Sequence, residues 1–368
     1  MTPRETVRAA IDAVEARGPL DAAAMAEARA ILDGLTKPPG SLGRLEELAT
    51  WLAGVTSQAR PVSERRSIVV AAADHGVTRQ GVSAYPSDVT AQMVANFIAG
   101  GAAINVLAER VRATVTVVDV GVAGPIPGGA ATGDRGGRLL ERRVRNGTAD
   151  MTIESAMTPE EAVAAIAVGI DVVRELASDG VDLIGIGEMG IGNTTAASAL
   201  TAALTGQPAA SVTGPGTGLG ADGRAAKVRV IETALERHHP GSRDALGALA
   251  AVGGLEIAAL VGVILGAVGA GIPVVLDGFI TGAAALVATA IAPGVPARVV
   301  AAHRSVEPGH AVILECLGLE PLLELDLRLG EGTGAALAFA LIDAAIAIRD
   351  SMATFASAGV AGRTDGAA

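Results

Sequence analysis

Apolar residues recur with two different periods along this chain, and the change of period divides it. Up to about residue 60 the spacing is helical: Val7, Ile11 and Val14 form one stripe, and Leu42, Leu45, Leu48 and Leu52 form another. Between them lies Thr36-Lys37-Pro38-Pro39-Gly40-Ser41-Leu42-Gly43. Its prolines stop one helix, and Ser41 is placed to cap the next, with Glu46 and Glu47 in the first turn. From Ser67 onward, short apolar runs alternate with longer Ala-rich stretches. The runs Ile68–Ala73, Thr114–Val120, Val181–Ile186, Pro273–Leu276, Ala297–Ala301 and Leu322–Leu329 predict strands. Most lack polar alternation, as strands buried on both faces do. Helices are predicted over about 88–109, 158–178, 193–205, 222–238, 245–269 and 279–291, and a last one runs from beyond Glu331 to about Ala356.

This alternation predicts an α/β protein with a doubly wound, mostly parallel sheet of about six strands. The helical ends, 1–62 and 335–358, are expected to form a small domain beside an α/β domain over 63–334, with 359–368 as a frayed tail. Residues 121–157 break the rhythm. They are glycine-rich and carry Arg135, Arg138, Arg142, Arg143 and Arg145, which suggests a binding loop or a dimer contact.

Composition narrows the function. Half of the 368 residues are hydrophobic but only 2% are aromatic, so the core must be built from small aliphatic side chains in close contact. The net charge, 28 − 39 = −11, disfavours a nucleic-acid partner. A single cysteine, Cys316, excludes a disulfide framework and a cysteine zinc site. The adjacent His238 and His239 precede Pro240 and read as a solvated helix end. The N-terminus has no apolar leader, and the expected location is cytoplasmic. Ile257–Leu276 is an uncharged stretch of membrane-spanning length, but its glycines and Pro273 favour a buried helix stopping at Gly269–Gly271 and a strand ending at Asp277.

In an open parallel sheet, ligands bind beyond the carboxyl ends of the strands. Asp74-His75, Gly187-Glu188-Met189-Gly190, Asp277-Gly278, His303-Arg304-Ser305 and Gly330-Glu331-Gly332-Thr333-Gly334 all follow predicted strands. Gly185-x-Gly187-x-x-Gly190 matches a dinucleotide fingerprint, but no acid follows about 20 residues on and Glu188 would sit among the phosphates. No Walker loop is present. A second glycine loop, Gly214–Gly220, precedes Lys227, which reads either as a solvated helix residue or as a phosphate ligand. Glu188 and Glu331 can cap the helices behind them. As a pair at one sheet edge, they can also form a general-base site whose pKa is raised by burial. No paired-acid diphosphate motif appears, so a phosphoribosyl substrate would carry a monophosphate and need no metal.

Five motifs in order, Lys37–Gly43, Ala73–Val77, Gly187–Thr195, Glu307–His310 and Leu329–Gly334, resemble those of the nicotinate-nucleotide–dimethylbenzimidazole phosphoribosyltransferases, from about Leu35 to Ala340. The resemblance implies transfer of the phosphoribosyl group of nicotinate mononucleotide to 5,6-dimethylbenzimidazole with inversion at C1′, without a cofactor or metal, by a homodimer. It implies Glu331 as general base and Glu188 as the second carboxylate. Gly190, Asn193, Thr194, Thr195, Gly216, Lys227, Ser305, Arg328 and Gly330 would bind the nucleotide. Tyr85, Met93 and Leu329 would wall the aromatic base, and Asp74, His75 and Asp277 would complete the site edge. Some members of that family carry a small polar residue at the position of Tyr85 and a glutamine near Met93, so the preferred base is left open. A non-catalytic nucleotide-binding or sensor protein of the same fold is the alternative.

Overall fold

A computed structural model describes residues 1–127 and 135–362. Its helices are α1 (Pro3–Ala16), α2 (Ala22–Asp33), α3 (Arg44–Thr56), α4 (Val89–Ala99), α5 (Ala103–Arg110), α6 (Pro159–Ser178), α7 (Asn193–Thr205), α8 (Ala209–Val212), α9 (Ala221–His238), α10 (Ala245–Val252), α11 (Leu255–Ala270), α12 (Phe279–Ile291), α13 (Pro308–Leu317), α14 (Thr333–Ser351) and α15 (Phe355–Ala358). The strands are β1 (Arg66–Ala73), β2 (Ala113–Gly121), β3 (Arg138–Glu141), β4 (Leu183–Met189), β5 (Val274–Leu276) and β6 (Val299–Ala301).

The strands form one sheet in the order β3-β2-β1-β4-β5-β6, every pair parallel. Alternate residues of each strand feed two separate cores. Val69, Ala71, Ile184 and Ile186 face α6, α7, α11 and α12; Ile68, Val70, Ala72 and Val275 face α3, α4, α5 and α14. The order reverses between β1 and β4. Loops leaving the two strands diverge there and open a crevice at their carboxyl ends.

Small residues set the packing, as the low aromatic content requires. A Cβ at Gly169 of α6 would strike the Ala259 carbonyl of α11, and one at Gly262 of α11 would strike the Ile166 carbonyl of α6. These two helices therefore touch backbone to backbone. Helices of the chain ends are shared between the two faces: α1 lies on α6 and α11, whereas α14 packs on α3, α5 and the β4–β5 side of the sheet.

Several expectations fail for local reasons. The last expected strand, Leu322–Leu329, is not one. Its start follows β6 through Leu322 N–H to Ala301 O (3.0 Å) and Leu323 N–H to Ala302 O (3.0 Å). Asp326 then adopts φ +53° and breaks the extended course. The sixth strand is instead β3, inside the connection read as irregular, where four residues pair with Thr116–Asp119 of β2. Expected helix 245–269 is split by Gly253-Gly254 into α10 and α11, and 88–109 is split into α4 and α5 at Gly100, whose φ is +82°. That interruption falls within Val89–Arg110, the one described stretch long and apolar enough to cross a membrane. The uncharged stretch from Ile257 resolves into the buried α11 and then β5.

Ser41 does not cap α3. The helix starts at Arg44, and the Glu46 carboxylate reaches back to accept the Leu42 N–H (2.9 Å) and to pair with Lys37 (2.8 Å). His238 is half-buried, with Nε2 2.8 Å from the Met151 carbonyl oxygen. The arginines of 135–145 are held within the chain: Arg135 by Glu109, Arg138 and Arg142 by Glu175, Arg143 by Asp119 and Arg145 by Glu161. Residues 128–134 of that connection lie outside the described residues.

Candidate active site

Glu188 is the penultimate residue of β4 and Glu331 precedes Gly332, the residue that caps α14; a missing side chain lets them meet. Gly187 of β4 lies against the Glu331–Gly332 peptide, where a Cβ would come within 2.6 Å of the Glu331 carbonyl oxygen. Gly330 lies against the Glu188 carboxylate in the same way. The two loops interlock, and both carboxylates line one cavity of about 430 Å³. That is an ordinary size for a small-molecule site.

Asp277, just beyond β5, holds the second loop in place. Its carboxylate accepts the N–H of Gly332 (3.0 Å) and of Gly334 (2.6 Å), at the N-terminus of α14. Glu331 sits between glycines at φ +65°, a conformation that costs a side-chain-bearing residue about 1–3 kcal/mol. The clamp maintains it and aims the side chain into the cavity. Oε2 of Glu331 is buried without a hydrogen-bond partner.

The electrostatics favour protonated carboxyls in this site. Burial, reinforced by Glu256 and Asp277, pushes Glu188 up to about 8, against the opposing hydrogen bond from the Asn193 amide. Burial pushes Glu331 up to about 7, with the Ile104 N–H lowering it and Asp277 raising it. Asp277 also rises to about 7 through burial, despite its backbone donors. Glu331 thus changes ionisation near neutrality, as a general base requires.

The other end of the cavity suits an anion. Gly192, at φ +98°, opens α7, and Thr194 in its first turn accepts a hydrogen bond from Lys227 Nζ (2.7 Å). Lys227 is fully buried beneath Gly216, and burial lowers it to about 8 while Glu307 opposes the shift. The solvated reading of this lysine is therefore wrong. Glu307 also accepts the Gly216 N–H (2.9 Å) and so anchors the Gly214–Gly220 loop.

Gly190, Asn193, Thr194, Gly216, Ser305, Arg328 and Gly330 line this cavity with Tyr85, Met93, Leu329 and Asp277. The Asn193 amide is committed to Glu188, Thr195 is fully buried behind the surface, and Lys227 acts from behind Thr194. Asp74 and His75 line a separate cavity of about 540 Å³. There Asp74 accepts the Ala123 N–H (2.8 Å), while His75 pairs with the fully buried Glu256 behind the cavity wall (2.7 Å). Burial alone would lower the His75 pKa, but the Glu256 carboxylate outweighs it and the value is raised.

Sequence reasoning placed His303 beyond a strand end, Glu307 in a family motif and Thr217 in the second glycine loop without giving any of them a role of its own, and it passed over Phe279; all four line the site. Pro308 behind Glu307 is the start signal of α13, a helix that was not expected. His303 lies 3.7 Å from Asp277. His310, held neutral at about 3 by burial and by nearby His303 and Arg304, accepts the Ser305 N–H at Nδ1 (2.9 Å). Among the described residues no three metal-binding side chains gather.

Residues 18–360 match a family model described as phosphoribosyltransferase. A protein from Chloroflexus aggregans named nicotinate-nucleotide–dimethylbenzimidazole phosphoribosyltransferase is 55% identical over 93% of this chain and 95% of its own. The chain belongs to this phosphoribosyltransferase family. Its Chloroflexus aurantiacus member is 56% identical over 93% of this chain and 96% of its own. The crystal structure of CobT from Thermus thermophilus matches with a TM-score of 0.86 at 50% identity, covering 92% of this chain and 99% of that one. The six-stranded parallel sheet is thus the fold of the phosphoribosyltransferase family, and the Gly185–Gly190 fingerprint in it belongs to a strand–loop–helix turn that carries a carboxylate.

Proposed function

We propose that this phosphoribosyltransferase transfers the 5-phosphoribosyl group of nicotinate mononucleotide to 5,6-dimethylbenzimidazole or a related base. One observation carries the reading: the contact at Gly187 brings Glu188 and Glu331 into one cavity, with Glu331 Oε2 unpartnered. Lys227 with Thr194 and the start of α7 would hold the phosphate, as helix N-termini favour anions. Tyr85, Val89, Met93 and Leu329 would wall the flat base against the glutamates.

Ionised Glu331 takes the N–H proton of the base as the other ring nitrogen attacks C1′. The C1′–N bond to nicotinate breaks, and its electron pair returns to the pyridine nitrogen. Attack from the face opposite the leaving group inverts C1′. The ionised fraction of Asp277 supplies negative charge where the ribose becomes cationic, and Glu188, mostly protonated at pH 7, orients the base. A homodimer, as the family resemblance implies, belongs to this reading and is checked by sedimentation; a cytoplasmic location is checked by cell fractionation.

The test is a chromatographic assay with nicotinate mononucleotide and a panel of dimethylbenzimidazole, benzimidazole, adenine and phenols. Release of nicotinate with formation of an α-ribazole phosphate is expected. Tight nucleotide binding with no nicotinate released would refute transfer and leave a binding protein.

A further inference from the structure

The two ends of the cavity would take different substrates, and one threonine ties them together. Thr217 lies in the Gly214–Gly220 loop, one residue after Gly216, which Glu307 anchors above Lys227 at the phosphate end. Its side chain points toward the other end. Oγ1 accepts the Ala84 N–H (3.1 Å) and lies 3.3 Å from Ser83 Oγ. Ser83 Oγ in turn accepts the N–H of Tyr85 (3.1 Å). Tyr85 and Thr217 both line the cavity. The loop forms a strap over the site: Gly216 and Gly218 have φ +55° and +106°, and Gly218 and Gly220 are exposed, with nothing beside them that a Cβ would touch.

We propose that Thr217 is a positioning residue that couples the two subsites. A phosphorylated ribose seated on Lys227 and Thr194 orders the strap. Through Thr217 the ordered strap holds Ser83–Tyr85 against the aromatic base. This deepens the phosphoribosyl-transfer reading and rests on it. One or two neutral hydrogen bonds are worth roughly 2- to 12-fold each in an equilibrium constant, so a coupling of about 5-fold is expected. By linkage it acts equally on both ligands.

Dimethylbenzimidazole binding to the full-length protein, measured by calorimetry with and without ribose 5-phosphate, reads this coupling without turnover. The wild type is expected to bind the base about 5-fold more tightly with the sugar phosphate present. Thr217→Val, which keeps the shape and removes the oxygen, should bring that factor below about 2, and Thr217→Ser should restore it. In steady state, Thr217→Val should raise the KM for the base by a larger factor than it lowers kcat. Ser83→Ala, which removes one of the two contacts, gives a partial loss and serves if the valine variant does not fold. Equal coupling in wild type and Thr217→Val, or none in wild type, overturns the proposal. A wild type that couples the ligands but releases no nicotinate overturns transfer alone.

Discussion

Raising the pH from 6 to 8 should switch the base on. With Glu331 pushed up to about 7, its ionised fraction is 1/(1 + 10), about one in ten, at pH 6 and about nine in ten at pH 8. The rise in kcat/KM across that range is therefore about tenfold. Glu188, at about 8, remains mostly protonated at pH 7, so the midpoint belongs to the coupled carboxylates and not to one residue. The assay is initial-rate formation of α-ribazole phosphate at subsaturating base, from pH 5.5 to 8.5. Glu331→Gln, run over the same series, separates titration of the enzyme from that of the base. It should lose about 10²- to 10⁴-fold in rate and show no rise of its own, because the amide accepts no proton. A flat wild-type profile between pH 6 and 8 would refute the assignment. So would a glutamine variant that keeps more than about a third of the activity.

Three further outcomes follow from the same geometry. Glu188, Glu331 and Asp277 are each raised, from ordinary values of 4.5, 4.5 and 3.8 to about 8, 7 and 7, so each binds more protons folded than unfolded in that interval. Stability should fall as pH rises from about 4.5 to 8. Glu188→Gln should flatten the slope and raise the melting temperature at pH 8, and a lower one would contradict the sign. Lys227→Met, which keeps the packing and removes the ammonium, should raise the KM for nicotinate mononucleotide about 10- to 100-fold, since a charge-assisted hydrogen bond is worth about 1.5–3 kcal/mol. An unchanged KM would remove the lysine from phosphate binding. Gly187→Ala should cost at least about 10²-fold in activity while near-ultraviolet circular dichroism keeps its native form, because the new methyl displaces the Glu331–Gly332 backbone. Full activity in that variant would show that the loops need not interlock.

Local sequence pattern alone determined the parallel α/β class, the positions of β1, β2, β4, β5 and β6 to within a few residues, and the two glutamate loops. Buried parallel strands are continuous apolar runs, and helices announce themselves through caps and period. These signals lie within a few residues of what they describe. β3 was illegible because four residues, flanked by arginines, become a strand only by pairing with β2. Leu322–Leu329 misled because its leucines mimic a strand, while the left-handed turn at Asp326 leaves no mark in hydrophobicity. Likewise, only the fold could place Lys227 under Thr194, join Thr217 to Ser83, or send Asp74 and His75 to a neighbouring cavity. Whether Glu188 and Glu331 face one another was decided by tertiary structure. Their meeting depends on the absence of a side chain at Gly187 and on the grip of Asp277 on Gly332 and Gly334, contacts between segments remote in the chain. The raised pKa values have the same origin, since burial and the neighbouring carboxylates act only once the loops are packed together.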